Sequence, residues 1–318
     1  MKLLVFGSCN LDFTYAVDHI VASGETESVS EVNVFPGGKG LNQAIALKKA
    51  GADCFFAGCI GEDGEMLKEV LAGEGVDTQY LSVVKTRTGH AIIQVDREGR
   101  NSILVAPGAN HAVTEPFADR VLENFGDGDF LLLQNEISSL PHIIRRAKER
   151  GMKVIINPSP YTGFFRTIDL NDVFAVILNE TEASMWAGSD RPSDFLALVS
   201  DRYPGLKAVL TLGGEGSVFL RGGTVYRQPA YRVKAVDTTA AGDTFTGYFI
   251  AGLFRNDPIE TVLKYASAAA AIAVSRKGAS VSVPTRDEVE RLLPEMTLSS
   301  GECPECSVEQ YIVSTDLS

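Results

Sequence analysis

Apolar segments of strand length alternate with segments of helical periodicity along most of this chain, and this alternation limits the folds open to it. The strand-like segments are residues 3–7, 54–60, 130–133, 153–157, 173–178, 208–212 and 217–220. The helical segments are residues 41–50, 64–72, 141–150, 241–253 and 259–274. Strands joined through helices run parallel, and a parallel sheet is covered on both faces. The sequence therefore predicts an α/β fold with three layers, α/β/α, around a mostly parallel central sheet.

Two segments, residues 13–36 and 89–106, break this alternation because they show β-like patterning without an intervening helix. Within the second segment, residues 90–95 and 101–105 are predicted to form a hairpin. A small sheet with one apolar face is not stable alone. We therefore expect a second, smaller sheet beside the main one, which either folds over a ligand site as a lid or pairs with another subunit.

The bulk composition excludes some classes of protein. The chain has 318 residues, 45% of them hydrophobic and 22% charged, which is typical of a globular protein. Its formal net charge of -12 and the absence of a basic run argue against a nucleic-acid partner. The longest apolar run, residues 266–274, is too short to span a membrane. The odd number of cysteines, five, favours reduced thiols and a cytoplasmic location.

Small residues and one carboxylate occupy the start of the predicted helix 241–253. Ala240, Ala241 and Gly242 have almost no side chain, so a ligand can approach the unpaired backbone N–H groups there. A helix N-terminus attracts anions, and phosphate groups in particular. Asp243 would repel such an anion, so its presence indicates a chemical role, namely accepting the proton of a hydroxyl that attacks a phosphoryl group. The alternative is an ordinary acidic residue in the first helical turn.

Further polar residues follow predicted strands or precede predicted helices. Asn10 and Asp12 come after the first strand, and Glu136 comes after the strand at residues 130–133. The carboxyl ends of parallel strands line ligand crevices, so these side chains predict a pocket that binds vicinal hydroxyls, with a plain turn as the alternative. Lys39 and Asn42 lie in a Gly-Gly-Lys-Gly stretch before the next helix, which is neither a Walker A loop nor a dinucleotide loop.

Two other segments each have a functional and a structural interpretation. Asn179 and Glu182 are three residues apart at a predicted helix start, a spacing that suits either a hydrated Mg²⁺ or a capping box, and both can hold at once. Residues 211–216 form a glycine-rich turn between two strands, which is either a hairpin or a border of a nucleotide site.

Four segments of the chain, in order and spacing, resemble the signatures of the ribokinase-like (PfkB) carbohydrate kinases. They are residues 37–44, 179–182, 236–246 and 273–279. The resemblance covers roughly residues 3–293. We therefore expect a catalytic domain over residues 1–296, with lid segments at about 13–36 and 89–106. Residues 297–318 are expected to form a C-terminal tail that is mobile unless docked.

The resemblance implies a phosphotransferase that moves a phosphoryl group from ATP to O5 of D-ribose, with Asp243 as general base and the backbone of residues 240–243 as anion hole. It implies a sugar site formed by Asn10, Asp12, Gly38, Lys39, Asn42, Glu136 and Asp243. It implies a nucleotide site formed by Asn179, Thr211, Gly213, Gly216, Gly242 and Ser267. Family members often carry His or Asn at the position of Ser267, so the preference for the base is left open.

The resemblance also implies cofactors and a partner subunit. Mg²⁺ is expected near Asn179 and Glu182. K⁺ is expected near Asp237, Thr239, Ala273, Arg276, Gly278 and Ser282. The β-lid is expected to form a homodimer interface.

Three alternatives stay open. The substrate could be another sugar, such as 2-deoxyribose, or a nucleoside. The chain could also be a sugar-binding protein that has lost catalysis. Cys303 and Cys306 are spaced like half of a zinc site, but no second pair accompanies them, so a plain tail is the simpler interpretation.

Overall fold

The computed structural model describes residues 1–29, 31–299 and 306–316. The strands in chain order are β1 (Leu3–Phe6), β2 (Asn10–Ala16), β3 (Val32–Gly37), β4 (Phe55–Gly61), β5 (Asp77–Val84), β6 (Gly89–Val95), β7 (Asn101–Ala106), β8 (Phe130–Gln134), β9 (Lys153–Asn157), β10 (Ala175–Asn179), β11 (Lys207–Thr211), β12 (Ser217–Arg221), β13 (Thr224–Gln228) and β14 (Cys306–Ser307). The helices are α1 (Lys39–Lys49), α2 (Glu65–Gly73), α3 (Glu115–Leu122), α4 (Leu140–Glu149), α5 (Glu180–Ala187), α6 (Ser193–Arg202), α7 (Ala241–Arg255), α8 (Ile259–Val274), α9 (Arg286–Leu292) and α10 (Val308–Asp316).

The larger sheet has the strand order β14-β13-β12-β11-β10-β9-β8-β1-β4-β5. The strands from β5 to β11 in that order run parallel, and β12, β13 and β14 are added antiparallel. The predicted mostly parallel sheet is therefore confirmed. The β11–β12 connection is the hairpin that residues 211–216 allowed.

Buried side chains on β1 alternate between two hydrophobic clusters, one on each face of the larger sheet. Leu3 and Val5 point into the cluster that α1, α7 and α8 cover. Leu4 and Phe6 point into the opposite cluster, which α4 and α6 cover. Because successive strand residues face opposite sides, a strand buried on both faces must be apolar throughout. This arrangement confirms the three-layer prediction.

The smaller sheet has the order β3-β2-β6-β7 and is called the lid below. The predicted hairpin is confirmed, since β6 and β7 pair antiparallel from His90 opposite Ala106 to Val95 opposite Asn101. The strand β2 begins at Asn10, earlier than expected, so Asn10 and Asp12 lie within the lid and not in a turn after β1. Their spacing of two places both side chains on one face of β2.

The last described segment docks on the larger sheet. Cys306 pairs with Val225, so β14 extends the sheet beyond β13. Tyr311 of α10 is buried in the cluster that also contains α6. Cys303, the other half of the paired cysteines, lies outside the described residues. Over the residues described, no group of three or more His, Cys, Asp and Glu side chains is arranged to hold a metal ion, and no helix combines the length and apolar character that crossing a bilayer requires.

Candidate active site

The start of α7 has the open backbone that the small residues predict. Ala240 precedes the helix in the left-handed conformation, with φ of 58°. The Thr244 amide donates to the Ala240 carbonyl at 2.8 Å, so the amides of Gly242 and Asp243 come before this first helical bond. A Cβ added at Gly242 would meet no atom within 4 Å, which shows that this backbone faces open space. The helix N-terminus is therefore accessible to an anion.

Two cavities meet at this helix start. The larger, of about 470 Å³, extends from α7 towards α8 and the β11–β12 turn. The smaller, of about 220 Å³, lies between α7 and the ends of β9 and β10. Both cavities are lined by Thr211, Thr238, Ala241 and Gly242. A molecule that fills both would thus pass directly over the exposed amides.

The carboxylate of Asp243 lies buried on the wall of the smaller cavity. Its Oδ1 accepts a hydrogen bond from Gln43 Nε2 at 2.8 Å, and its Oδ2 accepts one from Asn42 Nδ2 at 3.2 Å. Both donors come from α1, which packs along α7. The carboxylate is therefore held in one orientation by two neutral amides, and each oxygen keeps a lone pair for a further partner.

Asn42 has a buried oxygen that lacks a protein partner. Its Nδ2 donates to Asp243, but its Oδ1 is buried without a hydrogen bond. A buried acceptor without a partner is costly, and a ligand hydroxyl would satisfy it. This unpartnered oxygen beside Asp243 fits a ligand hydroxyl that donates to it.

Lys39 begins α1 and faces the smaller cavity. Burial acts to lower the pKa of its ammonium group, but the nearby carboxylates of Asp243, Glu136 and Glu182 outweigh burial and raise the pKa overall. Lys39 therefore stays charged. A fixed cation at this place can stabilise negative charge on a transferring group.

Glu136 ties the β8 end to the start of α1. Its Oε2 accepts hydrogen bonds from the Lys39 amide at 3.0 Å and from the Ser8 hydroxyl. Gly38, which precedes α1, has φ of 93°, and a Cβ there would lie 2.9 Å from the Ser8 carbonyl oxygen. Only glycine fits this position without strain.

Asp12 and Asn10 complete the polar side of the lid. Burial, reinforced by the charge of Glu136, raises the pKa of Asp12 to about 7. Asn10 Oδ1 accepts a hydrogen bond from Asn110 Nδ2 at 2.7 Å. Asp12 therefore lies within electrostatic reach of Glu136, and Lys39 lies within reach of both Glu136 and Asp243.

Asn179 and Glu182 form a capping box at the start of α5 and also face the smaller cavity. The Glu182 amide donates to Asn179 Oδ1 at 2.9 Å, and the Asn179 amide donates to Glu182 Oε2 at 3.1 Å, which is a capping box. Both side chains line the smaller cavity. The capping contacts occupy one oxygen of the Glu182 carboxylate and leave the other for a ligand.

The remaining residues of the predicted nucleotide site line the larger cavity. They are Thr211, Gly213, Gly216, Gly242 and Ser267. The cavity wall also includes Ser299, which follows the expected end of the catalytic domain. Ser299 is held there because its amide donates to the Ala230 carbonyl at 2.7 Å.

The predicted K⁺ residues lie in two segments that Asp237 joins, one before α7 and one that runs from Ala273 in the last turn of α8 into the loop after it. Its Oδ1 accepts from the Thr239 amide at 2.9 Å, and its Oδ2 accepts from the Gly278 amide at 3.0 Å. Burial acts to raise the pKa of Asp237, but these hydrogen bonds outweigh it and lower the pKa overall. The guanidinium of Arg276 is paired with Glu288, which leaves Arg276 only its backbone carbonyl for a cation.

Sequence reasoning missed three buried amides behind Asp243. They are Gln43, Gln134 and Asn157. Gln43 lies in the matched segment 37–44, but the resemblance assigns it no role. Gln134 and Asn157 end β8 and β9, and the carboxyl-end argument that was applied to Glu136 would have found them.

Comparison with known proteins shows extensive similarity to carbohydrate kinases. Residues 1–286 match the pfkB family carbohydrate kinases. Ribokinase of Haemophilus influenzae is 36% identical over 300 residues, which are 92% of this chain and 98% of that protein.

Two solved structures share the fold at similar identity. The structure of Arabidopsis thaliana ribokinase complexed with ribose and ATP has a TM-score of 0.79 and 34% identity, and covers 92% of this chain and 98% of that one. Ribokinase from Cryptococcus neoformans in complex with ADP has a TM-score of 0.80 and 34% identity, and covers 91% of this chain and 99% of that one. The chain belongs to the pfkB family of carbohydrate kinases.

Proposed function

We propose that this carbohydrate kinase transfers the γ-phosphoryl group of ATP to O5 of D-ribose and forms ribose 5-phosphate and ADP. The observation that carries the proposal is the junction of two cavities at the start of α7, where Asp243 and the open amide of Gly242 lie side by side. The relatives named ribokinase, and the relative solved with ribose and ATP, support this substrate pair.

In this mechanism Asp243 accepts the proton of the attacking hydroxyl. Phosphoryl transfer has a loose transition state, so little nucleophile activation is needed and positioning dominates. The amides of Gly242 and Asp243 and the ammonium of Lys39 stabilise charge on the equatorial oxygens, whereas the Ala241 amide donates to the Thr238 carbonyl at 3.3 Å. Asp12, Asn42 and Glu136 bind the sugar hydroxyls, and a sugar lacking one of them leaves a buried polar group unpaired. Closure of the lid excludes water, which would otherwise accept the phosphoryl group.

The residues at the smaller cavity fit Mg²⁺. Asn179 and the uncapped oxygen of Glu182 are the hard oxygen donors that this ion prefers, and it retains several waters beside them. When bound, Mg²⁺ would neutralise charge on the nucleotide phosphates.

We also assign a K⁺ site to the segments that Asp237 joins. Backbone carbonyls and the Asp237 carboxylate would hold the ion there and fix the turn before Ala240.

The outer face of the lid supports a homodimer. Val34, Phe13, Ile92 and Leu104 are consecutive cross-strand neighbours on β3, β2, β6 and β7. Val34, Ile92 and Leu104 are 42%, 37% and 67% exposed. An apolar row across a whole sheet favours a second copy as its cover. Light scattering of the intact protein, and of a Leu104→Glu variant that converts it to a monomer, tests this assignment.

We also propose a cytoplasmic location. Cys9 and Cys54 are buried thiols without disulfide partners, and burial raises the pKa of Cys54 to about 12, which keeps it unreactive. The proposed reaction also requires ATP, which is supplied in the cytoplasm. Fractionation of cells that express the protein checks this location.

A coupled ADP-release assay with Mg²⁺, K⁺ and a panel of sugars tests the proposed reaction. D-Ribose is expected to give the highest kcat/KM, above 2-deoxyribose, other sugars and nucleosides. A higher value for 2-deoxyribose or a nucleoside would reassign the substrate. Ribose binding without ADP release, measured by calorimetry on the same protein, would establish a sugar-binding protein without catalysis.

A further inference from the structure

A chain of buried amides leads from Asp243 through α1 to the backbone of β10. Gln43 Nε2 donates both to Asp243 Oδ1 at 2.8 Å and to Asn157 Oδ1 at 2.9 Å. Gln43 Oε1 accepts from Gln134 Nε2 at 2.7 Å, and Asn157 Nδ2 donates to the Ile177 carbonyl at 2.8 Å. Gln43 and Gln134 are fully buried.

The two ends of this chain determine which way every amide points. The Ile177 carbonyl can only accept, so Asn157 must present its NH₂ group there and its oxygen to Gln43. Gln43 must then present its NH₂ group to Asn157, and the second hydrogen of that group is left for the Asp243 carboxylate. Its oxygen consequently faces the NH₂ group of Gln134. No rotation of the Gln43 amide keeps these bonds.

Both hydrogens of the Gln43 NH₂ group are donated, one to Asp243 and one to Asn157. Gln43 also lies too deep to contact a ligand in the cavity. Asn157 lines the smaller cavity, but Gln43 does not. Gln134 Oε1 is buried without a partner, but both polar atoms of the Gln43 amide are hydrogen-bonded, and a buried amide paired in this way holds the groups that it contacts in place. The oxygen that it fixes here is Oδ1 of Asp243, which leaves Oδ2 facing Asn42.

We propose that Gln43 is a positioning residue that holds the Asp243 carboxylate in the orientation that accepts the substrate proton. This inference rests on the proposed function, because it assigns Asp243 as the base. Gln43 acts through Asp243, with Asn157 and Gln134 as its supports. Its effect is expected on the chemical step and not on sugar affinity.

The test compares Gln43→Met, which keeps side-chain length without hydrogen bonds, with wild type. The kcat is expected to fall about 10- to 100-fold, because small misplacement of a reacting group has effects of this size. The ribose Kd from calorimetry is expected to change less than about threefold. The acid limb of the kcat–pH profile is expected to move to higher pH, because a hydrogen bond to the ionised carboxylate is lost.

Other charged groups near Asp243 are unchanged in this comparison. Lys39 and Glu182 face the same cavity, and Glu136 lies within electrostatic reach of Lys39. Gln43→Glu provides a second variant of native shape, in which a like charge beside Asp243 moves the acid limb further up than Gln43→Met does. Tyr248→Phe is the matched control, because it removes a buried hydrogen bond of 2.8 Å to the Pro284 carbonyl elsewhere on α7. Its kcat and acid limb are expected to match wild type.

A double-mutant cycle separates positioning from general stability. If Gln43 acts through Asp243, Gln43→Met in an Asp243→Asn background costs little further rate. A loss of kcat in that background as large as in wild type, or an unmoved acid limb in both Gln43 variants, would overturn the proposal.

The proposed substrate is tested separately. The rate of wild type is measured first on the sugar panel, and only that result decides whether ribose is the substrate. The variants are then compared on whichever sugar wild type phosphorylates fastest, so the two failures are distinguishable.

Discussion

Gly247 of α7 packs directly on Ala46 of α1. A Cβ added at Gly247 would lie 2.4 Å from the Ala46 Cβ and 2.8 Å from the Ala46 carbonyl carbon. Gly247 lies one helical turn after Asp243, and Ala46 lies about one turn after Asn42 and Gln43. The close approach of the two helices therefore determines whether these amides reach the carboxylate.

Replacing Gly247 with Ala is expected to move α1 and α7 apart. Overpacking of this kind costs about 1–3 kcal/mol of unfolding free energy, and kcat should fall because the Asn42 and Gln43 contacts lengthen. Urea unfolding and steady-state kinetics measure the two effects. The matched control is Gly73→Ala in α2, where an added Cβ meets nothing within 4 Å. Wild-type kcat in Gly247→Ala would contradict the expected coupling between helix spacing and catalysis.

Replacing Asp243 with Asn is expected to abolish most turnover and preserve ribose binding. The loss of kcat should be about 10²- to 10⁴-fold, the usual contribution of a general base. Binding survives because the Asn42 amide can rotate, so that its Oδ1 accepts from the new NH₂ group and its own NH₂ group can donate to the sugar hydroxyl. Calorimetry with ribose and single-turnover kinetics check both parts. Equal losses of affinity and rate would argue that Asp243 binds the sugar without acting as the base.

The pH dependence of kcat/KM for ribose is expected to follow the titration of the Asp12 carboxyl. Because its pKa is raised to about 7, the carboxyl is largely protonated below that pH and loses its capacity to accept two hydroxyl hydrogen bonds. The value of kcat/KM for ribose is therefore expected to rise with pH through about 7. In Asp12→Asn this inflection should disappear, and its persistence would assign the titration to another group.

Ionisation of the Asp12 carboxyl is also expected to lower the free energy of unfolding. Its pKa in the folded state is above the value near 4 of an unfolded chain, so between these values the folded state binds more protons. The free energy of unfolding then falls as pH rises from about 4 to about 7. Asp12→Asn is expected to raise the Tm at pH 8 and to change it little at pH 4, as thermal unfolding at the two pH values would show.

Tyr311 is expected to anchor the C-terminal segment. It is buried, and the Arg227 guanidinium lies 5.4 Å from its ring centre. Tyr311→Ala should lower the unfolding free energy by about 3 kcal/mol and expose β14 and α10 to protease, because a large buried side chain is lost. The exposed neighbour Glu309→Ala is the control. Unchanged protease resistance in Tyr311→Ala would show that other contacts hold the segment.

Regular elements with strong local signals could be predicted from the sequence. The apolar runs of β1 and β8 predict strands because they are buried on both faces, and the spacing at residues 41–50 predicts α1. The strands β5 and β13 and the helices α3, α6 and α9 were missed. Their exposed or partly exposed faces weaken the periodic signal, and their limits depend on neighbours distant in sequence.

The sequence by itself determined the chemistry at the start of α7. Small residues beside one carboxylate at a helix N-terminus favour an anion and a proton acceptor wherever the helix lies, because the unpaired amides are a local property of the chain. Tertiary structure alone decided what holds that carboxylate. Gln43 and Asp243 are 200 residues apart, and their contact exists only because α1 and α7 cross where Ala46 meets Gly247. Packing of this kind depends on the whole core and leaves no local signal in the sequence.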